Sequence, residues 1–302
     1  MDRPHCVQHF YDDRTNTLTY VVADLASRDA IVIDPVLDYD PVGSKVFTES
    51  ADRVVDWLRA RELRLHAILE THAHADHLSG ARYLKARFPD AELAIGARIT
   101  EVQRVFKMVF DLPEDFPTDG RQFDRLLEDG EVYRAGTIEV KTISTPGHTP
   151  ACVTYEIDGA LFTGDLIFMP DQGTGRCDFP AGSAQAMYTS VTDRIYRHGD
   201  DTRIYVGHDY QPEGREVRWQ TTVGEQRATN VQLPGDLSEG EFIKRREARD
   251  KLLAAPKLLY QSVQVNIDAG RLPRTGGERR YLKIPVNVFR PEGEGSLTLD
   301  DI

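Results

Sequence analysis

Between Thr71 and Gly80 the chain reads T-H-A-H-A-D-H-L-S-G, so three histidines and one aspartate fall within six residues, His72 to His77. Imidazole and carboxylate are the usual ligands of zinc, iron and related metals. The run His66-Ala67-Ile68-Leu69-Glu70 before them has the look of a short buried strand, and Leu78 to Phe88 after them reads as a helix. A strand-to-helix turn carrying these residues would aim several donors at one spot on the rim of a sheet. A chance cluster of surface histidines is the competing explanation, and Asp76 locked into H-x-H-x-D-H makes it a poor one.

Three later stretches extend the pattern. Thr145-Pro146-Gly147-His148-Thr149 follows a strand-like run over 138–143, Thr163-Gly164-Asp165 follows one over 160–162, and Val206-Gly207-His208-Asp209-Tyr210 follows one over 202–205. Each places a histidine or an aspartate just after a strand end, the position from which α/β folds present site residues. One histidine in such a place is more often structural than functional. Four such stretches in order, the first holding four candidate ligands, point to a metal centre.

The elements that must position these residues can be read from apolar patterning. Leu18 to Ala23 and Ala30 to Ile33 are rich in β-branched and aromatic residues and read as strands, with a turn at Ser27-Arg28-Asp29 and an end at Asp34-Pro35. Val54 to Arg61 suits a short helix leading into the strand before the histidines, an α/β rhythm. Glu92 to Ile95 is another strand. From Arg98 to Leu127 helical spacing gives way at Leu112-Pro113, which predicts a helical excursion with a loop, serving either as decoration or as a cover for the site. Runs over 131–133, 138–143, 153–157 and 160–163, with turns at Ala135-Gly136 and Asp158-Gly159, predict a second half that is antiparallel. Ala184 to Tyr196 reads as a helix and Thr202 to Val206 as a strand. Ser238 is expected to cap a helix running to Leu253. The predicted division is a catalytic domain over 1–235 and a C-terminal helix with extended tail over 236–302, packed on the same domain and available for a homodimer contact.

Composition narrows the partners. With 37 basic and 49 acidic residues among 302, the net charge is −12, which argues against nucleic acid or an anionic membrane as partner. A local pair of arginines could still hold a small anion. Cys6, Cys152 and Cys177 form no C-x-x-C pair and no disulfide framework, which fits a reducing, cytoplasmic setting. The start of the chain lacks the apolar core of a signal peptide, and no stretch approaches the roughly 20 apolar residues of a membrane-spanning helix.

The order H-x-H-x-D-H, G-H-T, G-D, G-H resembles the metallo-β-lactamase superfamily over about residues 15 to 230. The resemblance implies an α/β fold, an αββα sandwich with a C-terminal extension and the metal site at one edge. In a dinuclear member His72, His74 and His148 would hold one metal and Asp76, His77 and His208 the other, with Asp165 bridging. Within the superfamily, Ser144 to Val153, the Gly173-Thr174-Gly175-Arg176-Cys177-Asp178-Phe179 loop and His208-Asp209-Tyr210 look like the persulfide dioxygenases. That family uses one Fe(II), which here implies His72, His148 and Asp165 as ligands. Two histidines and one carboxylate leave open positions for substrate and O2. Glutathione persulfide and O2 would be the substrates, sulfite and glutathione the products. His74, Asp76, His77 and His208 would then orient the ligands or fill an unused metal position. The resemblance places Arg176 and Tyr210 beside the reacting groups and implies that Arg227 reaches toward glutathione; a salt bridge from Arg176 to Asp178 is the structural alternative.

The sequence also departs from that family. Some members carry a cysteine two residues before the loop arginine, where Thr174 stands here, and Cys177 follows the arginine instead. The 98–127 segment and the tail after Pro256 are longer than in compact members and resemble a longer bacterial subgroup. The rival reading is a glyoxalase II-type dinuclear hydrolase of glutathione thiolesters, for which every ligand is also present. Such a hydrolase would be expected to carry glutamate at the position of Asp209.

Overall fold

The computed structural model describes residues 5–273 and 278–286. The chain opens with β1 (Cys6–Asp12), β2 (Thr17–Asp24) and β3 (Asp29–Ile33), which pair antiparallel in succession. Successive side chains of a strand point to opposite faces. In β2, accordingly, Tyr20 and Val22 enter one apolar layer while Val21 and Ala23 enter another.

β4 (Val36–Asp40) and β5 (Lys45–Phe47) form a hairpin that leads into α1 (Glu49–Ala60). β6 (Arg64–Glu70) then runs parallel to β3. The helix expected to begin at Leu78 begins three residues later. Leu78 and Ser79 form a short strand, β7, pairing with Val36 and Leu37, and α2 spans Ala81–Arg87. Gly80 is what lets the chain approach β4 here. Its amide donates to the Pro35 carbonyl at 2.6 Å, and a Cβ would lie 2.8 Å from the Val36 carbonyl oxygen. β8 (Glu92–Gly96), α3 (Ile99–Val109) and β9 (Arg125–Leu127) complete a six-stranded sheet of order β1-β2-β3-β6-β8-β9.

The second sheet follows the order β10 (Val132–Ala135), β11 (Ile138–Ser144), β12 (Val153–Ile157), β13 (Ala160–Phe162), β14 (Arg203–Tyr205), β15 (Gln220–Thr222). The four runs over 131–163 pair antiparallel as expected, whereas β13 and β14, whose relative direction the sequence does not give, are parallel. A parallel pair needs a crossover, and the helical stretch expected over 184–196 supplies it. This stretch is α4 (Ala184–Thr189), continued by one widened turn over Ser190–Ile195. α5 (Val223–Thr229) follows β15.

The inner faces of both sheets share one core, with Leu18, Ile33 and Leu69 on one side and Ile138, Tyr155 and Phe162 on the other. Helices α1, α2 and α3 cover the outer face of the first sheet. The result is the layered αββα sandwich. α3 and the loop after it lie on that outer face, where Gln103 bonds Gln122, so the 98–127 segment does not cover the site.

After α5, α6 (Glu239–Asp250) packs against α4, and α7 (Leu259–Asn266) packs against β7. Ser238 occupies the N-cap position of α6, yet its side chain makes no capping bond; Glu239 and Glu241 in the first turn meet the helix dipole instead. The extended tail expected through residue 302 lies, beyond 286, outside the described residues. No described helix is long and apolar enough to cross a membrane.

Candidate metal centre and its cavity

Every candidate ligand sits at the C-terminal end of a strand on one edge of the sandwich. His72, His74, Asp76 and His77 follow β6, His148 follows β11, Asp165 follows β13 and His208 follows β14. Backbone bonds lock the two sheets together at this edge: Val153 donates to the Thr71 carbonyl at 3.0 Å and Leu18 to the Gly207 carbonyl at 2.9 Å. Gly164, before Asp165, has φ +49°, and a Cβ there would meet Thr71 Oγ1 at 2.3 Å. Only glycine lets the Asp165 turn settle against the histidine turn.

Among the described residues three donor groups have their ligand atoms within 4.8 Å of one another. Asp34, Glu70 and His74 are one; the two that hold the expected ligands are His72, His148 and Asp165, and His74, Asp76, His77 and His208. Asp165 joins these two, its Oδ2 3.9 Å from His72 Nε2 and 3.7 Å from His148 Nε2, its Oδ1 3.2 Å from His208 Nε2. His208 Nε2 also lies 3.3 Å from Asp76. The imidazole atoms His72 Nε2, His77 Nε2 and His208 Nε2 are buried without hydrogen-bond partners, as is Asp165 Oδ1. Buried polar atoms in native proteins are ordinarily satisfied. An unpaired set of imidazole nitrogens and carboxylate oxygen converging on one place fits a metal ion, and this donor chemistry suits either iron or zinc.

The surrounding residues fix which nitrogen of each ring is free. His148 Nδ1 donates to the Arg176 carbonyl at 2.8 Å, which directs Nε2 to the centre. His72 Nδ1 is 3.0 Å from Thr71 Oγ1, and that hydroxyl donates onward to Asp34 at 2.8 Å, so it receives the His72 proton. His74 Nε2 lies 3.1 Å from Asp34 and 3.4 Å from Glu70, leaving its Nδ1 buried and unpaired. Asp34 thus steers two rings, from a left-handed backbone position (φ 51°) that aspartate tolerates better than most residues. Burial and the neighbouring His74 push the His72 imidazole well below the usual histidine range. Burial would do the same to His208, but the Asp165 and Asp76 carboxylates outweigh it and raise that ring to about 9 in the metal-free protein.

The centre opens into a cavity of about 1160 Å³. Arg176 and Tyr210 line it with His148 and Asp165, while Arg227 does not. The Arg227 guanidinium is instead held by Asp200 and the Tyr196 carbonyl, so the structure does not bring it to the cavity with Arg176 and Tyr210, as a role toward glutathione would require. Arg176 makes the alternative salt bridge: Nε and Nη2 meet the two Asp178 oxygens at 2.6 and 2.7 Å, and Nη1 donates to Ala254. Its backbone carbonyl, through His148, is its direct link to the centre. The Tyr210 ring stacks on His208 with centroids 5.6 Å apart and remains half-exposed to the cavity. Asp209 turns the other way, its buried carboxylate gripping Arg215 through two contacts of 2.7 Å. Cys177 is buried, and burial pushes its thiol above the usual range, so it is no ready nucleophile.

The sequence reading missed the supporting groups from the far end of the chain. Asn266 of α7 donates to the carbonyls of His74 and His77 and accepts from the Ser79 amide, each at 2.8 Å. Nothing in the local pattern around Asn266 marks it, because its partners lie about 190 residues away.

A family model described as the metallo-beta-lactamase superfamily matches residues 12–208. The chain belongs to this superfamily. Among relatives, it is 45% identical to the "Beta-lactamase hydrolase-like protein" of Xylella fastidiosa over 94% of this chain, spanning only 65% of that protein's length. It is 43% identical to "Glyoxylase B2" of Dictyostelium discoideum, over 94% of this chain and 98% of the relative. It is 33% identical to the human "Persulfide dioxygenase ETHE1, mitochondrial", over 80% of each. Among solved structures, ETHE1 from Myxococcus xanthus superposes with a TM-score of 0.71 at 28% identity, over 88% of this chain and all of that one. The superfamily member described here therefore has ETHE1-like homologues in both sequence and fold.

Proposed function

We propose that this chain is a persulfide dioxygenase, oxidising a thiol persulfide with O2 at one non-haem iron. The observation that carries the reading is the His72–His148–Asp165 group, two imidazoles and one carboxylate, of which His148 and Asp165 line a substrate-sized cavity. The identity to a relative named persulfide dioxygenase supports it. The balance is one persulfide, one O2 and one water giving one free thiol and one sulfite. An iron held by these three residues would supply the redox chemistry that O2 requires.

The chain's own residues do the positioning. Thr71 and the Arg176 carbonyl hold the two rings by Nδ1, so neither can rotate its Nε2 away. Tyr210 and Phe168 present ring surface beside the centre and exclude water from one side of it.

A second reading, hydrolysis of a glutathione thiolester at two metals, is favoured by the complete second donor group and by the relative named Glyoxylase B2. Oxygen-electrode and sulfite measurements with glutathione persulfide separate the two. The expected result is O2 uptake matched by sulfite, falling at least about a hundredfold in His72→Ala and in Asp165→Ala. Thiolester hydrolysis with no O2 uptake contradicts the oxygenase reading.

A further inference from the structure

Arg246 is the only arginine or lysine buried among the described residues, with 3% of its surface exposed. It stands one helical turn before Asp250 on α6, so the two side chains share a face and pair. This order is the wrong one for stabilising a helix. Asp250 is the last residue of α6, where the helix dipole disfavours a carboxylate, and a cation placed N-terminal to an anion is the weaker arrangement. Taking two charges out of water also costs about as much as their attraction returns. The use of the pair lies in what else it holds.

Both members hold the loop that runs from Asp165 to Cys177, which is closed on itself where Ile167 bridges Thr174. Arg246 Nη1 donates to the Thr174 carbonyl at 3.3 Å and to Gln232 Oε1 at 2.6 Å, and Gln232 Oε1 also accepts from the Thr174 hydroxyl at 3.2 Å. Asp250 Oδ2 accepts from the Cys177 amide at 2.9 Å. That amide belongs to the same peptide group as the Arg176 carbonyl, which accepts from His148 Nδ1 at 2.8 Å. In a planar trans peptide the N–H and C=O point in opposite directions, so a bond that fixes one fixes the other. Asp250, one peptide and His148 therefore form a continuous line to the metal centre. A carboxylate at its far end draws the amide proton and polarises the peptide, which makes the carbonyl a better acceptor for the imidazole N–H.

We propose that Asp250, itself held by Arg246, orients and polarises the ligand His148 through the single peptide group between residues 176 and 177. Both are positioning residues: they act on the metal only through that peptide and the ring it holds. Imidazole ligands are commonly oriented by a carboxylate or a backbone carbonyl on the second nitrogen; here the two are joined in series, with the carboxylate supplied by α6. The inference goes beyond the proposed function, because His148 is a ligand in the one-metal and the two-metal reading alike.

The test is NMR of the full chain carrying isotope-labelled histidine and loaded with zinc, whose filled d shell keeps the signals sharp. Each Nδ1–H held in a hydrogen bond gives its own signal, and His72, held by Thr71 rather than by this loop, is the control in the same spectrum. Removing one member of a buried pair endangers folding, so both are changed together. Arg246→Met/Asp250→Leu removes the charges and keeps apolar bulk, and Arg246→Gln/Asp250→Asn keeps side-chain hydrogen bonding without the charges. In either variant the His148 signal is expected to move upfield or be lost to exchange with water while that of His72 stays. Zinc affinity should fall by about tenfold in chelator competition. Arg246→Lys, which keeps Asp250 paired, should return the His148 signal toward its wild-type position. An unchanged His148 signal in a folded double variant overturns the proposal. So do His148 and His72 signals that move together, the mark of a general loosening. No arm reads O2 uptake, so failure of the oxygenase reading leaves the outcome untouched.

Discussion

Thr71 and the Arg176 carbonyl do equivalent work on two rings: each occupies Nδ1 and leaves Nε2 to face the centre. Groups one step removed from a metal commonly contribute ten- to a hundredfold in affinity. Thr71→Val keeps the side-chain shape and removes the hydroxyl that links His72 to Asp34. It is expected to weaken metal binding by about tenfold or more with little change in the fold, as read by competition with a chelator alongside thermal unfolding. An unchanged metal affinity would mean that His72 is oriented by packing alone. The candidate ligands stand out in the sequence because their residue types and spacing are unusual together, and the structure brings them to one edge. The steering by Asp34 does not stand out, since it depends on a left-handed turn that brings residue 34 against residues 71 and 74. Arg227 differs for a related reason: only the resemblance of a helical segment with little character points it toward glutathione, and Asp200, 27 residues earlier, holds its guanidinium.

At the scale of elements, the histidine turn is pinned from outside the catalytic core. Asn266 on α7 satisfies the His74 and His77 carbonyls and the Ser79 amide together, while Glu70 accepts from Ser79 beneath them. Asn266→Ala would leave buried backbone groups unpaired, which costs about 1–3 kcal/mol for each uncompensated group. The expected outcome is lower thermal stability and faster loss of metal to a chelator than in wild type. Stability and metal retention both matching wild type would show that α7 is dispensable to the centre. Most strands of the two large sheets are readable from alternation and β-branched content, but β1, β9 and β15 are not among them. Nor are the short pieces: β4, β5 and β7 have two to five residues each, too few for a period to register. The parallel β13–β14 pairing was hidden too, because strand direction depends on the crossover between strands rather than on either strand's own residues.

The whole molecule is a superfamily sandwich whose C-terminal segment has been turned back over the active edge. It clamps the metal turn with α7 and walls the cavity with the end of α6. The sandwich and its metal edge are visible from the sequence through the superfamily resemblance, which rests on candidate ligands that fall in order after successive strands. The sequence could not show the cavity, whose walls join residues near 14, 40, 170, 210 and 250. Two complete donor groups lie at that edge, and metal content distinguishes how they are used. The most direct measurement is therefore elemental analysis of the purified chain after reconstitution with both metals in competition. The account predicts close to one iron per chain, little zinc, and O2 uptake in proportion to the iron. Two zinc ions per chain, with activity following the zinc, would contradict it.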